Sequence, residues 1–236
     1  MEPDSHVLEV GPGLGSLTVA LAESGAQVLA VERDPSLMPA LKEVVGSFAH
    51  VRLMVEDAVT ADWGSLLDDG SWTMVANLPY NVAVPVVMNA LDKDPRIERF
   101  LIMVQREVGE RLTAAAGQAP YGAVSLRVAY WSEARLIRRV PPSVFWPRPA
   151  VESVLVSLVR RATPPVDVDQ QALWRVIGVS FSQRRKSMRG ALRRLGLDSR
   201  QAEAALEACG IVRERRPEEL GLVEFACLAE RWKGLT

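Results

Sequence analysis

One short stretch, Asn77–Asn81, combines residue types that suit recognition of a nucleobase. It follows an apolar run, Trp72–Val75, that is typical of a buried strand, and it precedes a helical pattern. The amide of Asn77 and a backbone carbonyl freed by the rigid Pro79 can accept hydrogen bonds from an exocyclic amino group. Tyr80 offers a flat face on which a base can stack. A proline turn with a tyrosine covering the edge of the core is the structural alternative.

A glycine-rich loop near the amino terminus, Gly11–Gly15, lies between a strand-like run and a helical pattern. Glycines let the backbone turn sharply and approach a ligand closely. A second strand pattern, Gln27–Val31, follows the helix and leads to Glu32, a carboxylate placed where it can receive both hydroxyls of a ribose. Strand, glycine turn, helix, strand and acid form the opening of a Rossmann-like unit. These features favour nucleoside binding over a purely structural loop.

The spacing of the glycines bears on which nucleoside is bound. It departs from the dinucleotide pattern GxGxxG and has the form ExGxGxG, from Glu9 to Gly15. That form resembles the S-adenosylmethionine-binding loop of class I methyltransferases, in which no pyrophosphate needs to be neutralised. The carboxylate of Glu9 can then face the cationic side of the cofactor. A nucleotide-dependent dehydrogenase is the alternative that this spacing disfavours.

A third acidic position follows the strand pattern Val51–Val55. Asp57, which precedes Ala58, can accept a hydrogen bond from the amino group of an adenine lying across the edge of the sheet. The structural alternative is a turn or helix cap, a common role for Asp. Because ligands of open α/β sheets bind at the carboxyl ends of the strands, we expect Glu32, Asp57 and Asn77 to lie along one edge.

Together these motifs resemble the ribosomal RNA adenine N6-dimethyltransferase family, which includes small-subunit RNA dimethylases and the macrolide-resistance methyltransferases of the large subunit. The segments that carry the resemblance are Glu9–Gly13, Glu32, Asp57–Ala58, Asn77–Asn81, Gln105–Val108, Arg111–Leu112, Tyr121–Gly122, Val140–Pro149 and Val151–Ser153. Those from Gln105 onward are similar to the small-subunit branch. The resemblance covers nearly the whole chain from Val7.

The resemblance implies S-adenosyl-L-methionine-dependent N6-dimethylation of two adjacent adenosines near the 3′ end of 16S rRNA, in the small ribosomal subunit or its precursor. The catalytic residues that it implies are Asn77, Pro79, Tyr80 and Phe145. The cofactor-binding residues that it implies are Glu9, Gly11, Gly13, Glu32, Asp57, Ala58 and Asn77. Phe145 would be a stacking platform opposite Tyr80, with a core plug between strands as the structural alternative. At Trp146 related sequences usually carry a small residue.

Composition and charge narrow the class of protein. With 236 residues, 48% hydrophobic and 24% charged, the chain is typical of a globular protein with one large domain or a large and a small one. The net charge of −1 means that a nucleic-acid partner must be argued from local charge. Only two cysteines, Cys209 and Cys227, and two histidines are present, so neither a metal site nor a disulfide framework is expected. Without a signal-peptide or membrane-span pattern, we expect a cytoplasmic monomer that does not bind membranes.

The elements that position the chemistry predict an α/β fold. Strand patterns cover 7–10, 27–31, 51–55, 72–75 and 99–104, and we assign a long antiparallel pair to Val124–Trp131 and Val151–Val159. Together with the family resemblance, they imply a Rossmann-like class I methyltransferase with a seven-stranded mixed sheet. After Ala162–Pro165 the patterns are helical, which indicates a small all-α C-terminal domain. We expect an S-adenosylmethionine-binding catalytic domain at 1–162 and a helical RNA-contacting domain at 163–236.

The C-terminal domain contains a dense basic segment, with six basic residues and no acid between Arg184 and Arg194. Arg185, Arg189 and Arg193 recur every four residues, which predicts one stripe on a helix. A solvated helix face is the usual explanation for such charges, but an acid-free cluster of this density favours phosphate contacts. The residues that we assign to RNA binding are Arg184, Arg185, Lys186 and Arg189.

The chain departs from the family at its amino terminus. Family members carry a segment before the glycine loop that covers the cofactor and contributes to the RNA side, and this sequence does not show it. We therefore expect weak cofactor binding and poor methylation from the chain as written. An RNA-binding ribosome assembly factor with weak or no methyl transfer is one alternative function. A 23S rRNA adenine N6-methyltransferase of the macrolide-resistance type is another.

Overall fold

The computed structural model describes residues 4–183 and 186–234. Its backbone forms two compact units. The first comprises the described residues up to 110 together with 131–161, and the second comprises 111–130 together with the described residues from 162 onward. The chain therefore leaves the first unit, returns to it and leaves it again.

A seven-stranded sheet forms the centre of the first unit. Its strands are β1 (His6–Val10), β2 (Gln27–Glu32), β3 (Val51–Val55), β4 (Trp72–Asn77), β5 (Ile97–Gln105), β6 (Ser132–Val140) and β7 (Ser153–Arg160). Their order across the sheet is β3-β2-β1-β4-β5-β7-β6. The first five strands pair in parallel, and β7 is antiparallel to β5 and β6. The mixed seven-stranded sheet agrees with the prediction.

Helices connect the parallel strands of this unit. They are α1 (Ser16–Glu23), α2 (Met38–Val45), α3 (Trp63–Leu66) and α4 (Ala83–Lys93). Alternate residues of the strands pack against α1, as shown by the buried cluster of Val7, Val28 and Val75 with Leu21. Parallel strands buried in this way read as apolar runs, which is why they were recognisable in the sequence. Their carboxyl ends meet at one edge of the sheet.

The predicted strand Val124–Trp131 is wrong, because α6 (Ala123–Trp131) occupies this segment. The antiparallel partner of β7 is instead β6, which begins at Ser132. Apolar residues alternate along 124–130 and so imitate a strand. The Ser125 hydroxyl between them is buried and donates a hydrogen bond to the Arg111 carbonyl (2.6 Å). This tertiary contact of Ser125 goes with the helix and overrides the local alternation.

The second unit is helical. Its elements include α7 (Gln170–Phe181), α8 (Met188–Arg194), α9 (Ser199–Ala208) and α10 (Leu222–Lys233), and the helix α5 (Arg106–Thr113) enters it at Arg111. The rings of Phe181 and Phe225 pack with centroids 6.0 Å apart. Residues 111–130 fall within the predicted domain 1–162 but group with this unit. One reason is Tyr121, whose hydroxyl donates to the Leu220 carbonyl (2.8 Å).

The two cysteines differ from expectation. Cys209, directly after α9, and Cys227, within α10, form a disulfide with their Cα atoms 5.9 Å apart. One bond is not the disulfide framework that was excluded, but the pairing of these two cysteines was not predicted. The two residues are 18 positions apart and meet because α9 and α10 pack together, a tertiary arrangement that no local pattern indicates.

Candidate active site

The carboxyl ends of the parallel strands surround a cavity of about 530 Å³, called the first cavity below. Its lining residues are Val10, Gly11, Val31, Glu32, Arg33, Asp34, Pro35, Glu56, Asp57, Ala58, Val59, Pro79, Asn81, Val82 and Val86. Most of the predicted cofactor-binding residues therefore meet in one place. Gly13, Glu9 and Asn77 do not line this cavity, although Gly13 donates a hydrogen bond to Glu32, which does.

The glycine loop forms one wall of the first cavity and positions Glu32. Gly11 adopts a φ of +72°, a left-handed conformation that favours glycine. A Cβ atom added to Gly11 would lie 3.5 Å from Cδ of Pro79, so the glycine loop and the loop after β4 approach each other closely. The backbone N–H of Gly13 donates to Oε2 of Glu32 at 3.2 Å. The loop thus both shapes the cavity and fixes its carboxylate.

Glu32 is held firmly at the end of β2. Its Oε1 accepts the backbone N–H of Asp34 at 3.0 Å, while Oε2 accepts that of Gly13, and the side chain is 8% exposed. A carboxylate has about four acceptor positions, so two backbone donors leave room for two hydroxyl donors. The predicted pairing with a ribose is chemically possible in this arrangement.

Asp57 makes the turn contact that was the structural alternative, and it also lies at the first cavity, where the ligand role was predicted. Its Oδ1 accepts the backbone N–H of Val59 at 3.0 Å, which is a turn cap, and the same side chain lines the first cavity. Oδ2 lies 3.5 Å from Nε of Arg33. Sequence reasoning missed Arg33, although its position directly after Glu32 places it at the same edge. Ala58 is buried beside Asp57 and forms part of the same wall.

Glu9 lies beneath the glycine loop rather than on the surface of the first cavity. It is 1% exposed, and its Oε2 has no hydrogen-bond partner among the described residues. Burial raises the pKa of the Glu9 carboxyl from 4.5 to about 7. The nearby Thr18 hydroxyl acts in the opposite direction and the charge of Glu32 in the same direction. A carboxyl group of this kind is poised to change its protonation state near neutral pH.

A second cavity of about 290 Å³ lies on the other side of Pro79. Its lining residues are Asn77, Leu78, Pro79, Tyr80, Phe145, Trp146, Pro147 and Pro149. All four predicted catalytic residues are among them. Because Pro79 also lines the first cavity, the two cavities share this residue as a common wall.

The loop between β4 and α4 is fixed by backbone hydrogen bonds. The N–H of Leu78 donates to the Met103 carbonyl at 3.0 Å, which continues the pairing of β4 with β5. The Pro79 carbonyl accepts the N–H of Val82 at 3.1 Å. The sequence predicted a free carbonyl at this position, and the structure shows that it already accepts one hydrogen bond. A carbonyl oxygen has two lone pairs, so one remains available. The Asn77 side chain is exposed beside it.

The two aromatic residues of the second cavity come from different parts of the chain. The Tyr80 hydroxyl lies 3.1 Å from the Ser153 hydroxyl at the start of β7. Phe145 follows the short 3-10 turn Pro142–Val144 and is half-buried. Phe145 therefore contributes to the cavity wall and is not a fully buried core plug. The role of Ser153 in holding Tyr80 was not foreseen.

Two residues of the basic segment of the second unit, Arg184 and Arg185, lie outside the described residues. Helix α8 begins at Met188, and Lys186 lies before it. Arg189 forms an ion pair with Glu203 of α9, with Nε and Oε1 2.9 Å apart. An acid from a neighbouring helix thus partly neutralises a segment that contains none of its own. Lys186 remains exposed.

Residues 4–183 and 186–234 were compared with the patterns of metal clusters and of membrane-spanning helices. There, no group of three or more His, Cys, Asp or Glu residues is placed to hold a metal ion. None of the helices within residues 4–183 and 186–234 is both long and apolar enough to span a membrane. The two histidines make structural contacts: His6 stacks on Trp72, and Nε2 of His50 lies 2.9 Å from the Ala22 carbonyl.

Sequence comparison identifies related proteins along the whole chain. A model of the ribosomal RNA adenine dimethylase family matches residues 1–226. Proteins named ribosomal RNA small subunit methyltransferase A from Thermobifida fusca and Streptomyces griseus are each 43% identical to this chain. Both alignments cover 98% of this chain, and they cover 81% and 80% of the respective relative.

Solved structures share the fold. A dimethyladenosine transferase from Plasmodium falciparum superimposes with a TM-score of 0.81 at 21% identity, covering 97% of this chain and 90% of that one. The 23S rRNA methyltransferase ErmE does so with a TM-score of 0.73 at 26% identity, covering 99% and 93%. These likenesses confirm the predicted Rossmann-like methyltransferase fold with a C-terminal helical region. The family match and the relatives together show that the chain belongs to the ribosomal RNA adenine dimethylase family of methyltransferase enzymes, as its motifs predicted.

Proposed function

We propose that this chain dimethylates N6 of two adjacent adenosines near the 3′ end of 16S rRNA, in the small ribosomal subunit or its precursor, with S-adenosyl-L-methionine as methyl donor. The observation that carries the proposal is the second cavity, where Asn77, Tyr80 and Phe145 meet next to the first cavity. The small-subunit target is supported by the names of the relatives that are 43% identical. Because ribosomal subunits of this kind assemble in the cytoplasm, the proposed function includes a cytoplasmic location.

The first cavity fits the nucleoside part of S-adenosylmethionine, the cofactor of the family. Glu32 keeps acceptor positions for the ribose hydroxyls, and Asp57 can accept from the adenine amino group. Val31 and Val82 supply apolar walls suited to a flat base. When bound there, the cofactor supplies an electrophilic methyl group carried on a positively charged sulfur. Pro79 lines both cavities, so its place is at their junction, where the methyl group would meet the substrate base.

The second cavity would receive the target adenine after it has left its stack. Extrusion of a base from a helix costs a few kcal/mol, and stacking on an aromatic side chain returns about 1–3 kcal/mol per base. Tyr80 and Phe145 both line the cavity and would supply such platforms. Ser153 holds the Tyr80 hydroxyl, so the ring is oriented before the base arrives.

Asn77 and Pro79 would orient the reacting nitrogen. Adenine N6 is a poor nucleophile because its lone pair is delocalised into the ring. The Asn77 side-chain oxygen and the remaining lone pair of the Pro79 carbonyl can accept the two amino hydrogens and favour a pyramidal nitrogen. The N6 proton becomes acidic only as the new bond forms and can then pass to water, so an amide that orients the nitrogen suffices where hydrolases need a carboxylate or His.

Most of the rate acceleration would then come from positioning. Well-oriented reactants can gain roughly 7–11 kcal/mol in this way, without a strong base or a metal ion. For a second transfer, the second cavity must also admit an N6 that already carries a methyl group. A rotation of the amino group or a release step between transfers is therefore part of the proposal.

RNA would reach the site with help from the basic segment of the second unit. We propose phosphate contacts for Lys186 and Arg189, and for Arg184 and Arg185 outside the described residues. The ion pair with Glu203 lowers the net charge that Arg189 offers. The exposed Arg193, on the same helix, is the better-placed cation of α8.

Two other functions remain as candidates. The likeness to the 23S rRNA methyltransferase ErmE, at 26% identity, favours a large-subunit adenosine as the alternative target. A ribosome assembly factor without much catalysis is the other. The distinguishing experiment incubates the protein with S-adenosylmethionine and either unmethylated small subunits or naked 23S rRNA, followed by mass spectrometry of the nucleosides. We expect N6,N6-dimethyladenosine in 16S rRNA. Modification of 23S rRNA alone would reverse the choice of target, and particle binding without methylation would indicate the assembly factor.

A further inference from the structure

Trp146 is the most exposed large hydrophobic residue of the described chain, at 97% exposure, and it lines the second cavity. It follows Phe145 directly, so a half-buried and an exposed aromatic residue are consecutive in the loop after β6. A tryptophan in this position exposes a large apolar surface to water. A small exposed apolar residue is common and needs no explanation, but a surface of this size suggests a binding partner. The mechanism above makes no use of it.

The segment around Trp146 is also strongly basic. Residues 134–151 contain four arginines and no acid. Three of them, Arg138, Arg139 and Arg148, are exposed, and within the described residues none of the three has a carboxylate at ion-pair distance. Arg135, the fourth, pairs with Glu133 at 3.9 Å. The catalytic unit thus has its own uncompensated positive charge, separate in sequence from the basic helix α8.

Unpaired arginines next to an exposed aromatic ring suit a single-stranded nucleic acid. Such proteins combine a positive surface that follows the phosphates with aromatic side chains on which bases stack. Arg139 and Arg138 pair in register with Val154 and Leu155 of β7, next to Ser153, which holds Tyr80. Val140, the next residue, is the register partner of Ser153, and Arg148 lies two positions after Trp146, so unpaired arginines stand on both sides of Trp146 along the chain.

We propose that Trp146 stacks on the base of the nucleotide adjacent to the target adenosine, while Arg138, Arg139 and Arg148 contact the flanking phosphates. The proposal rests on the function proposed above. A base that turns into the second cavity leaves its neighbour without a stacking partner on one side. Trp146, at the rim of that cavity, replaces the lost partner and so holds the strand in register. Trp146 is in this view a positioning residue and not a catalytic one.

The test uses Trp146→Ala and Trp146→Phe with an RNA substrate that is either intact or abasic at the nucleotide on one or the other side of the target. On intact RNA, loss of the stack should raise KM for RNA about tenfold in Trp146→Ala, with kcat within about twofold of wild type and most of the effect restored in Trp146→Phe. When the base on which Trp146 stacks is missing from the RNA, KM of wild type should rise by the same tenfold. KM of Trp146→Ala should not rise further.

Val144→Ala is the matched control, because Val144 is 64% exposed in the same loop but does not line the second cavity. Its KM should equal that of wild type. An unchanged KM in Trp146→Ala would overturn the proposal, as would abasic substitutions that reduce binding of wild type and Trp146→Ala equally. These results differ from a failure of the proposed function, in which wild type itself would transfer no methyl groups.

Discussion

The hydroxyl of Tyr80 lies 3.1 Å from the hydroxyl of Ser153, which joins the loop after β4 to the first residue of β7. Ser153 is fully buried and is the register partner of Gln105 at the end of β5. The aromatic ring that we assign to base stacking is therefore anchored to the sheet by its polar end. This bond separates two properties of Tyr80, its flat face and its hydroxyl, that substitutions can test one at a time.

Removing the hydroxyl and removing the ring should have different effects. Tyr80→Phe loses one hydrogen bond, so we expect a stability loss of about 1 kcal/mol and methyl transfer within a few-fold of wild type. Tyr80→Ala loses the stacking platform, worth about 1–3 kcal/mol, so kcat/KM should fall roughly 5- to 150-fold. Urea denaturation and initial rates of methyl transfer measure the two effects.

Ser153→Ala is the matched partner of Tyr80→Phe, because it removes the other half of the same contact. Because both variants remove the same hydrogen bond, the stability loss of the double variant should be smaller than the sum of the losses of the two single variants. Equal losses of activity in Tyr80→Phe and Tyr80→Ala would show that the ring face contributes nothing.

Glu32 should determine cofactor affinity. Hydrogen bonds to charged groups contribute about 1.5–3 kcal/mol, so Glu32→Ala should weaken S-adenosylmethionine binding roughly 10- to 150-fold, measured by titration calorimetry. The change also removes an acceptor from the N–H groups of Gly13 and Asp34, which should loosen the glycine loop. Glu43→Ala, at an exposed position of α2, is the control and should bind like wild type. Unaltered affinity in Glu32→Ala would mean that the ribose is held elsewhere.

Glu9 should make stability depend on pH. Its pKa is about 7 in the folded protein, above the ordinary value of 4.5, so the folded state holds the proton more tightly than the unfolded state. The resulting contribution to stability is complete below about pH 4.5 and is lost as the pH rises through 7. Between pH 5.5 and 8 the free energy of unfolding should fall by about 2 kcal/mol more in wild type than in Glu9→Gln, measured by urea denaturation. Parallel pH profiles for the two proteins would contradict this assignment.

The cations of the basic segment 184–194 should be visible in the salt dependence of RNA binding. Lys186 and Arg193 are exposed, so replacing both with Ala should remove two phosphate contacts. For a single strand this lowers the slope of log K against log salt by about 1.4. The slope is measured by fluorescence anisotropy with a labelled RNA fragment at several salt concentrations.

A control for total charge uses cations that are already paired with acids. Arg213 pairs with Glu214 at 2.6 Å, and Lys233 pairs with Asp169 at 2.7 Å. Replacing Arg213 and Lys233 with Ala changes the net charge by the same amount, but should leave the slope nearly as in wild type. Equal slopes for all three proteins would exclude α8 as a phosphate-binding element.

Local patterns were sufficient for the part of the fold that places the cofactor. The runs that became β1, β2 and β4 are largely buried and therefore apolar, whereas β3, at the edge of the sheet, is only partly buried. Each run ends at or is followed by glycine, acid or Asn. The geometry of an open α/β sheet then brings Glu32 and Asp57 to one cavity without any knowledge of side-chain packing. The role of Phe145 as a stacking platform was implied by the family motifs alone, because the residues around it fit a core plug equally well.

Features that depend on distant contacts were not predictable. The alternation in 124–130 imitates a strand, and only the burial of Ser125 reveals the helix. The bond between Cys209 and Cys227 depends on how α9 packs against α10. The partners of Asp57 and Arg189, namely Arg33 and Glu203, are chosen by geometry that sequence spacing does not contain.

The most direct test of the account is single-turnover methyl transfer to unmethylated small subunits by wild type and Asn77→Ala, with S-adenosylmethionine affinity measured in parallel. Asn77 is exposed at the end of β4 and does not line the first cavity, so cofactor affinity should change little. Loss of an acceptor that orients N6 should reduce the transfer rate by at least about a hundredfold, because misplacement of a reacting group by 1 Å can have that effect. A transfer rate in Asn77→Ala within a few-fold of wild type would contradict the account.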